Sequence, residues 1–496
     1  MIEGATFLVD EVDVPVLRKA VSELASIGYY EKDICERLGL SDLTELMWRA
    51  VPIYREERLT VHDALDLAIN LFFLQGNIST DELNQLFHND EKDVLIRAGL
   101  LLIHKKRCFA RASLYPVGDH LIFSDHAWPK LPHPGYARIP YDQVMFIGAD
   151  SRWLARTTTH RQVGSTLDLC TGSGVHALLA SVHSKRVVAV DINPRAARCA
   201  HFNALVSGAT NIEVAVGDLF QPVFGEYFDL ITANPPFVPS PMDTIEYRDG
   251  GNSGEDVLGR IVNGLPQHLL PGGIAQIVTE MGEGDERILS DRLRVWLDDA
   301  PMDILILRLG VHPAASYAIA HADGDDDYEA FLSSVEAWSN NLRTQGYTNI
   351  ISVLIAFKWS DPTLGEPWTR IEEAKPPHRD ASAELEAIFF AERMARQPNL
   401  RQTLEHSKIR RGGAIGLMEA RVLGSELHAN AQVELLGKAL SIIKWINPVE
   451  LQVLELIEKP IELSSLLILT SEHNIKEEVV METVSSLLRN GLLILA

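Results

Sequence analysis

The chain has 496 residues, 46% hydrophobic and 23% charged, enough apolar material for two to four packed domains of roughly 100–200 residues each. Against 45 basic residues stand 68 acidic ones, and the formal charge of −23 repels a polyphosphate over most of the surface, so nucleic acid can bind only through a local basic patch. The composition excludes a disordered chain, and no apolar run approaches the roughly 18–20 residues of a membrane helix.

The four cysteines, Cys35, Cys108, Cys170 and Cys199, form no Cys-x-x-Cys pair, which predicts free thiols in a reducing compartment. The first residues carry Glu3, Asp10, Glu11 and Asp13 where an export signal needs a basic segment and an apolar run. A soluble cytoplasmic protein with no membrane contact is expected.

Residues 1–128 read as a mainly helical, winged-helix-like N-terminal domain. Ala64, Leu67, Ala68, Leu71 and Phe72 recur at helical spacing, Ser79 and Glu82 form a capping-box pattern, and Asp90 to Gly99 predicts a third helix. Two β-like runs follow, Leu100–His104 and Cys108–Leu114, separated by the basic tip Lys105-Lys106-Arg107. Because Asp90, Glu91 and Asp93 crowd the start of the third helix, substrate docking or packing is favoured over reading of DNA.

Pro129, Pro132, Pro134 and Pro140 mark a first linker, at the start of a chemical domain spanning 129–360. From Val163 to Trp359, short β-branched runs alternate with helical stretches, the pattern of a parallel sheet covered on both faces. Residues 361–447 are expected to be a linker, rich in proline (Pro362, Pro367, Pro376, Pro377), and then a mixed region of unknown fold. Residues 448–496 predict a second winged-helix-like cap, whose eight acidic and three basic residues favour protein contact over DNA.

The chemistry concentrates at four strand ends. Leu167–Cys170 leads through Gly172 and Gly174 into a helix near Val175; glycines there let backbone amides approach a ligand, and the helix start favours negative charge. The next strand, Arg186–Val190, ends in Asp191, whose carboxylate can accept both hydroxyl protons of a ribose. That pair fits either NAD or S-adenosylmethionine. After Ile212–Val216, Asp218 offers an acceptor for an adenine amine, with the turn cap as its plain structural alternative.

The fourth strand, Phe228–Ala233, runs into Asn234-Pro235-Pro236-Phe237. Two prolines remove two backbone donors and stiffen the turn, so the Asn234 side chain and the Pro235 carbonyl can act as two acceptors for one NH2 group. Holding both hydrogens orients a planar nitrogen for attack without a strong base, and Phe237 offers a flat surface for stacking. The bland alternative is a tight turn with a core phenylalanine.

In this order and spacing, DLCTGSG, AVDINP, GDLF and ANPPFVPSP resemble class I S-adenosylmethionine-dependent methyltransferases of the Asn-Pro-Pro-Phe/Tyr amino-methylating group. That group holds HemK-like release-factor and ribosomal-protein glutamine methyltransferases as well as ribosomal RNA N-methyltransferases. The resemblance covers about residues 140–360 and implies an α/β, Rossmann-like seven-stranded methyltransferase sheet there; the winged-helix-like terminal domains expected to flank it lie outside the resemblance.

The resemblance further implies that Gly172 and Gly174 pass beside the methionine part of S-adenosylmethionine, supported by Asp168 and Thr171. It implies that Asp191 holds the ribose, that Ile192 and Leu219 sandwich the adenine, and that Asp218 meets its amine. Asn234 and Pro235 would bind the amine to be methylated, with Phe237 stacked on it and Arg248 and Asp249 closing over the substrate. Cys170 stands where glycine is commoner, with no thiol chemistry expected.

With no His-Glu-x-x-His and no Lys-bearing phosphate loop, no metal site is expected. The leading expectation is methyl transfer to a planar nitrogen, preferably a protein glutamine amide, with S-adenosylhomocysteine as product. The alternatives are RNA-base N-methylation, with Lys105, Lys106, Arg107, Lys408, Arg410 and Arg411 on phosphate, and a cofactor-sensing winged-helix regulator; an NAD dehydrogenase ranks last. Oligomeric state is not legible in the sequence.

Overall fold

In the computed structural model, which describes residues 5–127, 142–242, 245–285, 288–322, 327–419 and 431–495, the chain divides into two compact units. The expected linker at Pro129–Pro140 lies outside the described residues. The first unit holds residues up to 155, 160–300 and 312–350; the second holds 156–159, 301–311 and 351 onward.

Five strands of the first unit are parallel: β1 (Val163–Leu169), β2 (Ser184–Asp191), β3 (Ile212–Val216), β4 (Phe228–Ala233) and β5 (Leu269–Glu283), side by side in the order β3-β2-β1-β4-β5. Leu167, Leu169, Val187, Val190, Leu230 and Ile231 are buried, as a sheet covered on both faces requires. Chain order reverses at β1, between β2 and β4, which opens a crevice beyond the carboxyl ends of the strands. Register sets the site: Leu169 lies opposite both Val190 and Ala233, so Cys170, Asp191 and Asn234 leave the sheet at one level.

Helix α1 (Ala149–Thr157) precedes the sheet, α2 (Val175–Ser181) follows β1, and α3 (Pro194–Ser207) follows β2. The start of α3 is fixed locally. The Asn193 side chain accepts from the N–H groups of Arg195 and Ala196, Pro194 takes the first position, and Gly208 closes the helix at φ 76°. After α4 (Asp256–His268) and α5 (Leu289–Trp296), two inserted helices, α6 (Ala314–His321) and α7 (Tyr328–Thr344), join the same unit.

The N-terminal residues share the core of this unit. One buried cluster runs from Leu17, Leu24 and Phe72 through Phe123 to Leu178 and Phe202. Ser79 and Glu82 make the expected capping box, and Asn77–Ser79, Arg107–Ala110 and Leu101–His104 form a small antiparallel sheet. The run expected as one strand, Cys108–Leu114, is broken at Arg111-Ala112. Its second part starts a separate hairpin, Ser113–Val117 with His120–Ser124, whose break nothing in the apolar spacing marks.

The second unit carries β6 (Met302–Pro313), β7 (Asn349–Trp359) and β8 (Thr369–Ala374); β8 is parallel to β6 and antiparallel to Ile442–Ile446. Strand β8 corrects the expectation of a linker after residue 361. The four prolines flank this strand instead of interrupting it, so its ladder forms. Ile442–Ile446 pairs onward with Ala431–Leu435, and that strand with Ile415–Glu419. Helices Ser382–Ala395 and Leu400–Glu405 fill the region of unknown fold. The last helices, Pro448–Leu456, Leu463–Glu472 and Glu477–Arg489, share a core with Leu400, Leu404 and Ile409.

The fold is Rossmann-like α/β with a large mixed sheet. Seven strands fall short, because β8 and three later strands also find ladder partners within the second unit. No described helix is long and apolar enough to cross a membrane.

Candidate active site

Asp168, at the end of β1, is fully buried and organises the glycine loop. Its Oδ2 accepts from Thr171 Oγ1 at 2.5 Å and from the Ala177 N–H at 3.2 Å, and its Oδ1 accepts from Thr232 Oγ1 at 2.8 Å. Burial pushes this carboxyl up to about 6 despite those bonds. The chain then turns through left-handed conformations at Cys170 (φ 54°), Gly172 (φ 55°) and Gly174 (φ 81°). Gly174 is required for packing, since a Cβ there would stand 3.0 Å from Ala200 of α3. Gly172 faces open space. The Cys170 thiol is pushed well up by burial and by the nearby Asp191 and Asp168, which holds it neutral.

Asp191 closes the loop from the neighbouring strand. Its Oδ2 accepts the Gly172 N–H at 2.8 Å and its Oδ1 the Asn193 N–H at 2.9 Å, while burial raises its pKa. Around it lies a cleft lined by Thr171, Gly172, Asp191, Ile192, Asp218, Leu219 and Asn234. Leu219 is buried at φ 51°, Ile192 is exposed, and Asp218 Oδ2 accepts from Arg260 Nη2 at 2.7 Å.

At the acceptor end, Asn234 Nδ2 donates to Asp150 Oδ2 at 3.0 Å and to Ser151 Oγ at 3.1 Å, both on the first turn of α1. Asn234 Oδ1 is buried and has no hydrogen-bond partner. An orphaned buried acceptor at the tip of a strand, beside an open glycine cradle, is the arrangement a bound NH2 donor would complete. These residues fit S-adenosylmethionine beside such a donor.

The sequence expectation and the site differ at several positions. Asp168 and Gly174 stand behind the cleft, and Pro235 does not line it although Pro236 does. Phe237, expected to stack on the acceptor, packs against the cluster of Val238, Tyr317, Trp338 and Leu342, because α6 and α7 offer its ring an apolar surface. Phe146 and Tyr247 are the rings that line the cleft. Arg248 and Asp249 pair with each other at 2.7 Å, Asp249 Oδ2 accepts the Ile245 N–H at 3.0 Å, and the Arg248 guanidinium lies 5.8 Å from the Trp338 ring. They brace the loop beside the cleft and leave Glu246 and Tyr247 on its wall. Sequence reading also missed Asp150, Ser151 and His176. His176 lines the cleft with neither ring nitrogen partnered, and burial lowers its pKa to about 4. The one local signal was the acidic start of an amphipathic helix at Ala149.

The methyltransferase small domain family matches residues 147–296, the stretch that builds this cleft. Over 148 residues the chain is 32% identical to a Methanocaldococcus jannaschii protein assigned as a protein N5-glutamine methyltransferase, a match covering 28% of this chain and 74% of that protein. The chain belongs to the methyltransferase small domain family. Other relatives of this family member are a ribosomal protein uL3 glutamine methyltransferase of Bradyrhizobium diazoefficiens, 37% identical over 27% of this chain and 47% of that protein, and a release factor glutamine methyltransferase of Thermodesulfovibrio yellowstonii, 29% identical over 25% and 49%. The chain thus spans about half the length of these two curated relatives.

Proposed function

We propose that the protein is an S-adenosylmethionine-dependent N-methyltransferase acting on a planar nitrogen, preferably a protein glutamine amide. The observation that carries the reading is the unpartnered Asn234 Oδ1, held at the carboxyl end of β4 in the lining of the cleft. Relatives named for glutamine methylation support the same acceptor class.

When bound, S-adenosylmethionine supplies an electrophilic methyl group. Asp191 would hold the ribose, Ile192 and Leu219 the adenine faces, Asp218 the adenine amine, and the loop at Gly172 the methionine end. Asn234 Oδ1 would accept one hydrogen of the target NH2. Rate then comes from orientation and matched dipoles, with no residue acting as a strong base.

Protein is favoured over RNA by charge. Of the basic residues considered for phosphate, Arg107 donates to Asn77 and Arg411 to the Leu454 carbonyl. The small sheets and helices near each end support winged-helix-like modules that dock protein. Glu91, in the helix placed to meet DNA, is buried on Lys19 at 2.7 Å. The four free cysteines, buried or half-buried, support a cytoplasmic location.

The test is transfer of labelled methyl from S-adenosylmethionine to a cell extract, with and without ribonuclease or protease. Label lost to protease and retained after ribonuclease is expected. Asn234→Ala should reduce transfer by about 100-fold or more with cofactor affinity within about twofold. An active Asn234→Ala overturns the acceptor role.

A further inference from the structure

We infer that Asp150, with Ser151, is a positioning residue that decides which atom of the Asn234 amide meets the acceptor, an inference that rests on the methyl-transfer reading above. An Asn side chain is nearly symmetric in shape, and a half-turn of its terminal group exchanges one acceptor oxygen for a two-hydrogen donor. Only the oxygen end can receive a target N–H. Nothing in the Asn-Pro-Pro turn itself chooses between the two orientations.

Asp150 makes the choice. Burial raises the pKa of the Asp150 carboxyl, while the bond from Asn234 and the backbone N–H groups of Asp150 and Ser151 favour its charged form; ionised, it accepts and cannot donate, so it can face only the nitrogen end of the amide. In the observed orientation Nδ2 reaches Asp150 Oδ2 at 3.0 Å and Ser151 Oγ at 3.1 Å, and both of its hydrogens are used. The flipped orientation would set Oδ1 against Oδ2 at about that separation, two acceptors with no proton between them. It would also point the NH2 group at the substrate's own hydrogens. The bond from Nδ2 to a carboxylate further polarises the amide, which strengthens Oδ1 as an acceptor.

Among the described residues, no cation forms an ion pair with Asp150, so its clearest partner is the Asn234 amide. Asp150 lies in the first turn of α1, where a carboxylate also favours the helix start; its bond to Asn234 is additional to that role.

The decisive variant is Asp150→Asn, which keeps shape and can accept from Nδ2 but can also donate to Oδ1, so that the flip is allowed. With the full chain and ribonuclease-treated extract protein as acceptor, the initial rate of methyl transfer at saturating cofactor should fall about 10- to 100-fold. The dissociation constant for S-adenosylmethionine should stay within about twofold, and the melting temperature should not fall. Asp150→Glu, which restores an acceptor-only group, should recover part of the rate. An Asp150→Asn rate within twofold of wild type overturns the inference, as does a loss of rate that merely tracks lost cofactor affinity. If Asp150→Asn fails to fold, Ser151→Ala replaces it, with a fall of about three- to tenfold expected and no fall overturning the inference. A wild-type protein that binds cofactor but transfers no label, or binds none, overturns the methyl-transfer reading itself, and is told apart by needing no variant.

Discussion

Asp191 Oδ2 accepts the backbone N–H of Gly172 at 2.8 Å, tying the tip of β2 to the turn that follows β1. The same carboxylate accepts from Asn193 ahead of α3. One side chain therefore shapes the glycine loop, starts the next helix and faces the cleft.

Asp191→Ala should for this reason weaken S-adenosylmethionine binding by tenfold or more, about 1.4 kcal/mol, since it removes the anchor of Gly172 together with the proposed ribose contact. Titration calorimetry measures this directly. An unchanged dissociation constant would show that the loop holds its shape unaided.

Asp168 predicts a particular dependence on pH. Its native pKa of about 6 lies above its ordinary 3.8, chiefly through burial, so between about pH 4 and 6 the folded chain binds a proton that the unfolded chain releases. The cost of burying the charge is fully present above pH 6 and relieved as pH falls toward 4. Relative to Asp168→Asn, the wild type should gain stability on acidification from pH 7 to 4, by up to about 3 kcal/mol. Urea midpoints across that range test it, and a constant difference between the two proteins would refute it.

Arg195 of α3 meets Asp125 in a buried pair, with Nη2 donating to Oδ1 at 2.7 Å, and also donates to the Ala5 carbonyl at 2.8 Å. Arg195→Met should cost about 3–5 kcal/mol, because it leaves the Asp125 carboxylate buried and unpaired. Replacing both residues by apolar ones should recover most of the loss. A single variant as stable as wild type in urea would mean that the N-terminal segment contributes little to the core it joins.

How much of this was legible varied with distance along the chain. The Ser79 capping box and the glycine turns at 172 and 174 were readable, because each depends on atoms a few residues apart. Strand β8 was not. Four prolines nearby suggested a linker, and only its pairing with β6 showed that they flank the strand. Phe237 was misplaced for a similar reason, since the helices that receive its ring lie some 80 to 100 residues downstream.

By itself the sequence determined a family, a parallel α/β core and an ordered series of candidate residues at strand ends, because backbone sterics, caps and strand periodicity act locally. Tertiary structure alone decided that Asp150 holds Asn234 across 84 residues, that Asp218 is met by Arg260, and that the N-terminal segment shares the core of the parallel sheet. Those outcomes depend on strand register and on which buried donor finds which acceptor. Both are settled when distant segments pack, and neither leaves a periodic trace in the order of residues.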